Sequence, residues 1–132
     1  MVASPWPARL GGVLAAIRAC RAQRNSPNYT DIHLWEIHEA FAAQVIAHVK
    51  ALESPEFVRS KVHVTGDFGA FPCDRMNPNG GSVALGHPFG ATGTRILSQA
   101  VKQLSTMPSG QRAIVSICGP RRADRSRRNC SS

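Results

Sequence analysis

Residues 77–93 read NPNGGSVALGHPFGATG, and the interpretation of the whole chain depends on this glycine-rich stretch. It contains five glycines, one histidine and no charged side chain. Because glycine has no Cβ, a ligand or another chain segment can lie directly against such a backbone. The common phosphate loops are excluded, since GxGxxG is absent and His87 stands where a Walker loop requires lysine. Two interpretations stay open: a tight turn around a satisfied buried histidine, and a site in which the His87 ring faces a ligand.

A strand and two helices are predicted before this stretch. The segment DIHLWEI (31–37) is apolar and partly alternating, which is typical of a strand that enters a core. From Glu39 the sequence EAFAAQVIAHVKAL has no glycine or proline and predicts a helix. Ser54 and Pro55 then predict the start of a short helix, with an N-cap oxygen before a ring preset to helical φ. The apolar face of the first helix comprises Phe41, Val45, Ile46, Val49 and Leu52.

A long helix and a second strand are predicted after Pro88. The segment FGATGTRILSQAVKQLSTM has apolar residues at helical spacing, and RAIVSIC (112–118) is a short β-branched run typical of a fully buried strand. Strands alternating with helices indicate parallel strands joined by helical crossovers. We therefore predict an α/β fold with an incomplete sheet, too small for an independent parallel sheet. A further helix is expected over residues 9–24. The apolar residues of the long helix are Ile96, Leu97, Val101 and Leu104.

The net charge of +8 is confined to the two ends of the chain. Residues 1–30 hold four arginines and no acid, residues 119–132 hold five arginines and one aspartate, and residues 31–118 hold seven bases and seven acids. We therefore divide the chain into a basic N-terminal segment, a globular segment and an Arg- and Ser-rich tail that is expected to be disordered. Nucleic-acid binding is not expected, because the tail has no aromatic ring to stack on bases.

Composition gives a few expectations about compartment and cofactors. No apolar run approaches the roughly 18–20 residues of a membrane-spanning helix, so no membrane span is expected. The four cysteines, Cys20, Cys73, Cys118 and Cys130, form no CxxC pair, which predicts neither a metal site nor a disulfide framework. The acid-free N-terminus loosely fits a mitochondrial transit peptide, with a solvated surface helix as the alternative. The expected compartment is the cytoplasm or the mitochondrial matrix.

Two further side chains are candidates for chemistry beside His87. Cys118 ends the apolar run AIVSIC, where a thiol is most often an inert core residue. At the carboxyl end of a strand that faces a histidine-bearing loop, it could instead transfer protons. His38, in WEIHEAF, lies where a strand passes into a helix. Taken alone it would more often be a surface or capping residue.

Read together, these segments resemble the C-terminal half of the thiolase family. NPNGGSVALGHPFGATG matches the family's glycine-rich signature at every constrained position, and WEIHEAFAAQ resembles its NEAF element. His38 takes the first place of that element, as in the fatty-acid-oxidation branch with the trifunctional-enzyme β subunits and their bacterial counterparts. The resemblance runs from about Asp31 to Cys118. It implies part of a layered α-β-α thiolase fold.

The resemblance also implies acyl transfer from a 3-ketoacyl-CoA to coenzyme A, as in fatty acid β-oxidation. His87 would activate a nucleophilic cysteine and help to hold the thioester oxygen, with His38 supporting the same oxyanion site. Cys118 would shuttle the proton between the substrate α-carbon and the CoA sulfur. Coenzyme A is then a co-substrate, and no cofactor is expected. The implied substrate contacts are Asn77, Gly80, Gly81, Gly86, Phe89 and Gly119.

Two departures from the family pattern bear on activity. The family's nucleophile lies in its N-terminal half, and no cysteine of this chain stands in that motif. After Cys118 the family continues with small residues that supply a second oxyanion hole, but here GPRRADRSRRNCSS follows, and Pro120 removes an N–H donor. We expect the chain to be inactive alone and to pair with thiolase-type subunits in a homo- or hetero-oligomer. Two alternatives stay open: a non-catalytic interaction module, and the product of a truncated or frame-shifted gene, which translation of the flanking DNA would test.

Overall fold

The computed structural model describes residues 29–62 and 69–117. Three groups of predictions lie outside these ranges. They are the helix over residues 9–24, the disorder of the tail from residue 119, and the placement of Cys118 and Gly119. The fold and the site are therefore built from the two described ranges.

Within the described ranges, two parallel strands form the sheet. Strand β1 spans Leu34–Ile37 and strand β2 spans Ala113–Ser116, with Trp35 opposite Ile114. The parallel pairing confirms the prediction of a helical crossover. Both strands are shorter than the apolar runs that predicted them, and the 3₁₀ turn Tyr29–Asp31 precedes the first.

Four helices connect the strands within the described ranges. They are α1 (Ala42–Leu52), α2 (Pro55–Val62), α3 (Ser82–Leu85) and α4 (Phe89–Thr106). The predicted start of α2 is confirmed, because the Phe57 backbone N–H donates to Ser54 Oγ at 3.3 Å. Helix α1 begins later than predicted, since Phe41 is still extended, with φ −148° and ψ 137°. Across the described ranges, no helix has the length and apolar character needed to cross a bilayer.

The sheet separates two packed layers. Because alternate side chains of a strand point to opposite faces, β1 can contact both layers. Trp35, Ile37 and Ile114 pack into a hydrophobic core on the side of α1 and α2. On the other face, Gln99 of α4 donates a 3.4 Å hydrogen bond to Glu36. Helices therefore lie on both faces of the sheet, as the α-β-α prediction requires. The other buried core residues are Tyr29, Ile32, Val45, Leu52, Val58 and Phe71.

Several apolar side chains that the helical spacing placed on a buried face are exposed. Phe41, just before α1, is 66% exposed and Ile46 of α1 is 57% exposed, while Leu97 and Val101 of α4 are 54% and 58% exposed. The periodicity located the helices, but the two described strands form a sheet too narrow to cover the full apolar face of either helix. The prediction that the second strand is fully buried was also wrong. In β2 only alternate residues are buried, Ile114 and Ser116.

Candidate active site

The two histidines singled out from the sequence lie side by side. His38 directly follows β1, and His87 lies in the short link between α3 and α4. Their ring centroids are 4.4 Å apart and the ring planes are inclined by 54°. The His38 backbone N–H donates to the Ser116 carbonyl at 2.8 Å, so the pairing of the strands continues to the edge of this site. The carboxyl end of the sheet and the start of α4 thus bring two imidazoles into contact.

His87 is held at one ring nitrogen and exposed elsewhere. Its Nδ1 atom lies 2.8 Å from the hydroxyl of Thr92, which is buried in the first turn of α4. The Phe89 ring meets the imidazole edge-on, with centroids 5.0 Å apart, and is itself 85% exposed. A hydroxyl can either donate to Nδ1 or accept from it. When Nδ1–H donates to Thr92, Nε2 carries the free lone pair that a general base needs.

His38 is buried and differs from His87 in its hydrogen bonding. The residue is 6% exposed, and neither ring nitrogen has a hydrogen-bond partner in the described part of the chain. Burial lowers the pKa of His38, the His87 ring and the Arg95 guanidinium lower it further, and the Glu39 carboxylate opposes them. The ring is therefore neutral at pH 7, and its one N–H has no acceptor among the described residues.

The buried His38 ring predicts a pH dependence of stability. Because its folded pKa lies below the ordinary 6.5, the unfolded chain binds more protons between the folded pKa and 6.5. The contribution of the neutral His38 ring to the free energy of unfolding is complete above pH 6.5. It is lost as the pH falls from 6.5 towards the folded pKa. As the pH falls through that window, we expect the free energy of unfolding to decrease in the native chain and to decrease less in His38→Gln. Urea unfolding at a series of pH values on both sides of 6.5 measures this difference.

The comparison with His38→Gln also removes the influence of other titrating groups. Burial raises the pKa of Glu36 above 4.5, against the Arg95 charge and the Gln99 hydrogen bond. Its contribution to stability therefore falls as the pH rises, which is opposite in sign to the contribution of His38. Glu36 is present in both proteins, so its effect cancels in the difference. If the free energy of unfolding changed with pH equally in the native chain and in His38→Gln, the prediction would be wrong.

Asn77 joins the glycine-rich stretch to β1. Its backbone N–H donates to the Trp35 carbonyl at 2.8 Å. Its side-chain Oδ1 accepts from the Ile37 N–H at 2.8 Å, and its Nδ2 donates to the Ile37 carbonyl at 2.9 Å and to Glu39 at 2.6 Å. Asn77 has φ 47°, a left-handed conformation that asparagine tolerates better than most residues. The amide is thus fully used within the protein, while its predicted contact with substrate stays a prediction.

Glycine is needed at different positions of this stretch for different structural reasons. Gly80 and Gly86 have φ values of 86° and 95°, which a residue with a Cβ rarely adopts. A Cβ at Gly86 would meet no atom within 4 Å, so this side of the loop is open for a ligand. Gly81 has an ordinary φ of −98°, and the Glu39 carboxylate occupies the space that its Cβ would need. The clearance expected around His87 is therefore present at Gly86, whereas at Gly81 it is filled by Glu39.

A buried polar cluster beneath the site was not identified from the sequence. Glu36 is 1% exposed, and its carboxylate accepts from Gln99. Arg95 of α4 donates to Ser82 and to Gln99 through long contacts of 3.5 Å. The sequence did indicate such a cluster, because the Glu36 carboxylate in the middle of an apolar strand needs a buried polar partner. Its partners could not be named, since they come from a distant helix.

Cys118 and Gly119 lie just beyond the last described residue, Ile117, so their roles stay predictions. Among the described residues, no group of three or more His, Cys, Asp or Glu side chains could hold a metal ion. The described part of the site therefore consists of two imidazoles, the Thr92 hydroxyl and the open backbone at Gly86.

Comparison with known proteins assigns the chain to a family. Residues 6–123 match the family model described as "Thiolase, C-terminal domain". The chain belongs to the thiolase family. The match extends beyond both limits of the segment 31–118 in which the resemblance was seen, so it includes part of each basic end.

Curated thiolases align with about two thirds of the chain. It is 42% identical over 88 residues to the "Probable 3-ketoacyl-CoA thiolase" of Caenorhabditis elegans, covering 67% of this chain and 19% of that protein. The "3-ketoacyl-CoA thiolase" of Colwellia psychrerythraea is 40% identical, over 67% of this chain and 20% of its own length. The "Trifunctional enzyme subunit beta, mitochondrial" of Rattus norvegicus is 42% identical, over 67% of this chain and 18% of its own. The chain spans about a fifth of the length of these relatives.

Proposed function

We propose that this thiolase chain supplies the histidine-bearing half of a 3-ketoacyl-CoA thiolase site, which transfers an acyl group to coenzyme A. The observation that carries the proposal is the pair His38 and His87, with ring centroids 4.4 Å apart at the carboxyl end of the sheet. Both rings stand in the segments that resemble the thiolase signatures. The names of the relatives support the substrate class.

His87 acts as the general base in this proposal. With Nδ1–H donating to Thr92, Nε2 takes the proton of a nucleophilic cysteine that a thiolase N-terminal half supplies. The thiolate attacks the 3-keto carbon, and the bond between the α- and β-carbons breaks with its electron pair on the α-carbon. Cys118 gives that carbon a proton, so acetyl-CoA leaves and an acyl-enzyme remains. The thiol of free coenzyme A then gives its proton to Cys118, and its sulfur attacks the acyl-enzyme. The shortened acyl-CoA leaves, and the released cysteine thiolate takes its proton back from His87.

His38 acts as a hydrogen-bond donor in the same reaction. Its buried neutral ring has an unused N–H, and the centroid distance of 4.4 Å allows both imidazoles to face one thioester oxygen. When His87 gains a proton, a neutral neighbour avoids repulsion between two positive rings. The lowered pKa of His38 therefore suits an oxyanion donor better than a second base.

Exposed apolar side chains around the site support a thiolase-type partner. Phe89 is 85% exposed, Val83 67% and Leu85 56%, and all three lie in or beside the glycine-rich stretch. Such a cluster is typical of a surface that a partner covers. Because the chain spans about a fifth of its relatives, we propose that the remainder of a thiolase subunit covers it, in a homo- or hetero-oligomer. The same surface also favours the second candidate function, a non-catalytic interaction module.

Co-expression with the missing part of a relative separates the two candidates. We expect the purified 132-residue chain not to cleave a 3-ketoacyl-CoA in the presence of coenzyme A. Co-expressed with the part of the Colwellia psychrerythraea thiolase that the match leaves uncovered, it should co-purify and restore thiolysis. Loss of the thioester enolate absorbance measures the reaction. Thiolysis by the chain alone would contradict the division of the site, and a stable but inactive complex would favour the interaction module.

Coenzyme A is the only small molecule that this reaction requires besides the acyl-CoA, and we propose that no further cofactor takes part. The compartment is proposed as the cytoplasm or the mitochondrial matrix. The rat relative is named as mitochondrial, whereas the relative from Colwellia psychrerythraea is bacterial.

A further inference from the structure

We infer that Glu39 is a positioning residue that fixes the distance between the two histidines. Its side chain links the end of β1 to the loop that carries His87. One carboxylate oxygen accepts from Asn77 Nδ2 at 2.6 Å, and the other accepts from the Val83 backbone N–H at 3.0 Å. Glu39 directly follows His38, and Val83 lies in α3, the short helix that leads to His87. One side chain therefore connects both imidazole-bearing segments.

Only a carboxylate fits these two donors. Each oxygen of Glu39 accepts one N–H, and both donors belong to the glycine-rich stretch. Glutamine has the same length, but its amide nitrogen donates and cannot accept. In Glu39→Gln one of the two N–H groups would therefore face another N–H. Aspartate is one methylene shorter and cannot reach both donors from the same backbone position.

Gly81 provides an independent observation of the same contact. Its φ of −98° is available to any residue, so backbone conformation does not require glycine here. A Cβ at this position would instead collide with the carboxylate carbon and both oxygens of Glu39. Glycine at position 81 is thus required by the placement of the Glu39 side chain. The loop approaches the end of β1 so closely because that one position has no side chain.

The first test measures the proximity of the two rings directly. In the full chain, we expect nuclear Overhauser cross-peaks between the ring protons of His38 and His87, whose centroids are 4.4 Å apart. His38→Gln and His87→Gln assign the signals. Glu39→Gln should lose these cross-peaks while the rest of the spectrum stays dispersed. Their persistence at native intensity in Glu39→Gln would overturn the inference.

Glu53→Gln is the matched control for this measurement. Glu53 also accepts a backbone N–H from a loop, that of Phe71 at 2.9 Å, but it lies at the end of α1, away from the histidines. The control should keep the cross-peaks between the two rings. If Glu53→Gln also lost them, a general loosening of the loops would explain the loss and the inference would be wrong.

The second test uses Gly81→Ala and needs no glutamine variant. The new methyl group should displace the Glu39 side chain, lower the melting temperature and remove the cross-peaks between the rings. In Gly81→Ala/Glu39→Ala the collision is absent, so the double variant should melt at a higher temperature than Gly81→Ala alone. Such non-additivity is expected for residues in contact or in one hydrogen-bond network, and not for distant, independent sites. A double variant that melts at or below the temperature of Gly81→Ala would overturn the inference.

The catalytic meaning of this distance rests on the proposed thiolase function, but both tests are read without substrate. If thiolysis fails while the cross-peaks and melting temperatures behave as expected, the proposed function is wrong and the positioning role stands. If thiolysis is restored in the complex and Glu39→Gln leaves the cross-peaks unchanged, the positioning role alone is wrong.

Discussion

Alanine at His87 is expected to lower thiolysis in the reconstituted complex by about 10²–10⁴-fold, the range for removing a general acid or base. In the proposed reaction this imidazole takes the proton of the nucleophilic cysteine, and the neighbouring imidazole in the described part of the site, His38, cannot replace it. His38 is buried and its pKa is lowered, so it is a poor base. Initial rates at saturating 3-ketoacyl-CoA and coenzyme A measure the loss.

Two further variants make the His87 result specific. His33→Ala removes an imidazole at the opposite end of β1, where its Nδ1 accepts from the Arg112 backbone N–H at 3.4 Å, and should leave the rate near that of the native complex. Thr92→Val keeps the shape of the buried side chain but removes the hydroxyl that orients His87. Its rate should fall between those of the native and His87→Ala complexes. A native rate in His87→Ala would contradict the general-base role.

Alanine at Trp35 is expected to lower the free energy of unfolding by about 3–5 kcal/mol, the usual cost of truncating a buried tryptophan. The Trp35 side chain has no exposed surface and lies at the centre of the core. Its ring meets Phe71 and Tyr29 edge-on, with centroids 4.8 Å and 5.8 Å away. Small domains are stable by only about 5–15 kcal/mol, so much of the native population would be lost.

Urea unfolding followed by circular dichroism measures the change at Trp35. Phe41→Ala is the control, because this aromatic ring is 66% exposed and its truncation should change stability by about 0.5 kcal/mol or less. Trp35→Phe should cost less than Trp35→Ala, since the indole N–H has no hydrogen-bond partner in the described structure and a ring remains in the core. Equal unfolding free energies for Trp35→Ala and Phe41→Ala would contradict the assignment of the core.

The histidine pair could be predicted from the sequence because each ring lies in a short segment with a strong family pattern. His38 stands in WEIHEAF and His87 in the glycine-rich signature, so the resemblance assigned both to one site before the distance was known. The residues that hold the pair were not predicted. Glu39 and Thr92 lie in the same two segments, but their roles follow from where their side chains point in the folded chain.

The sequence by itself determined the family, the parallel strands, the three longer helices and the two candidate imidazoles. These features depend on local spacing and local chemistry, which a short stretch of chain records. The short helix Ser82–Leu85 was not predicted, because four residues are too few to show a helical period of apolar residues.

Only the tertiary structure decided which apolar faces are covered, how the Asn77 amide is used and why position 81 is glycine. Each depends on segments far apart in sequence that meet only after folding. The Glu39 carboxylate occupies the space beside Gly81 because it accepts hydrogen bonds from Asn77 and Val83 in the loop. The space that the sequence predicted for a ligand beside Gly81 is therefore filled by a neighbouring side chain.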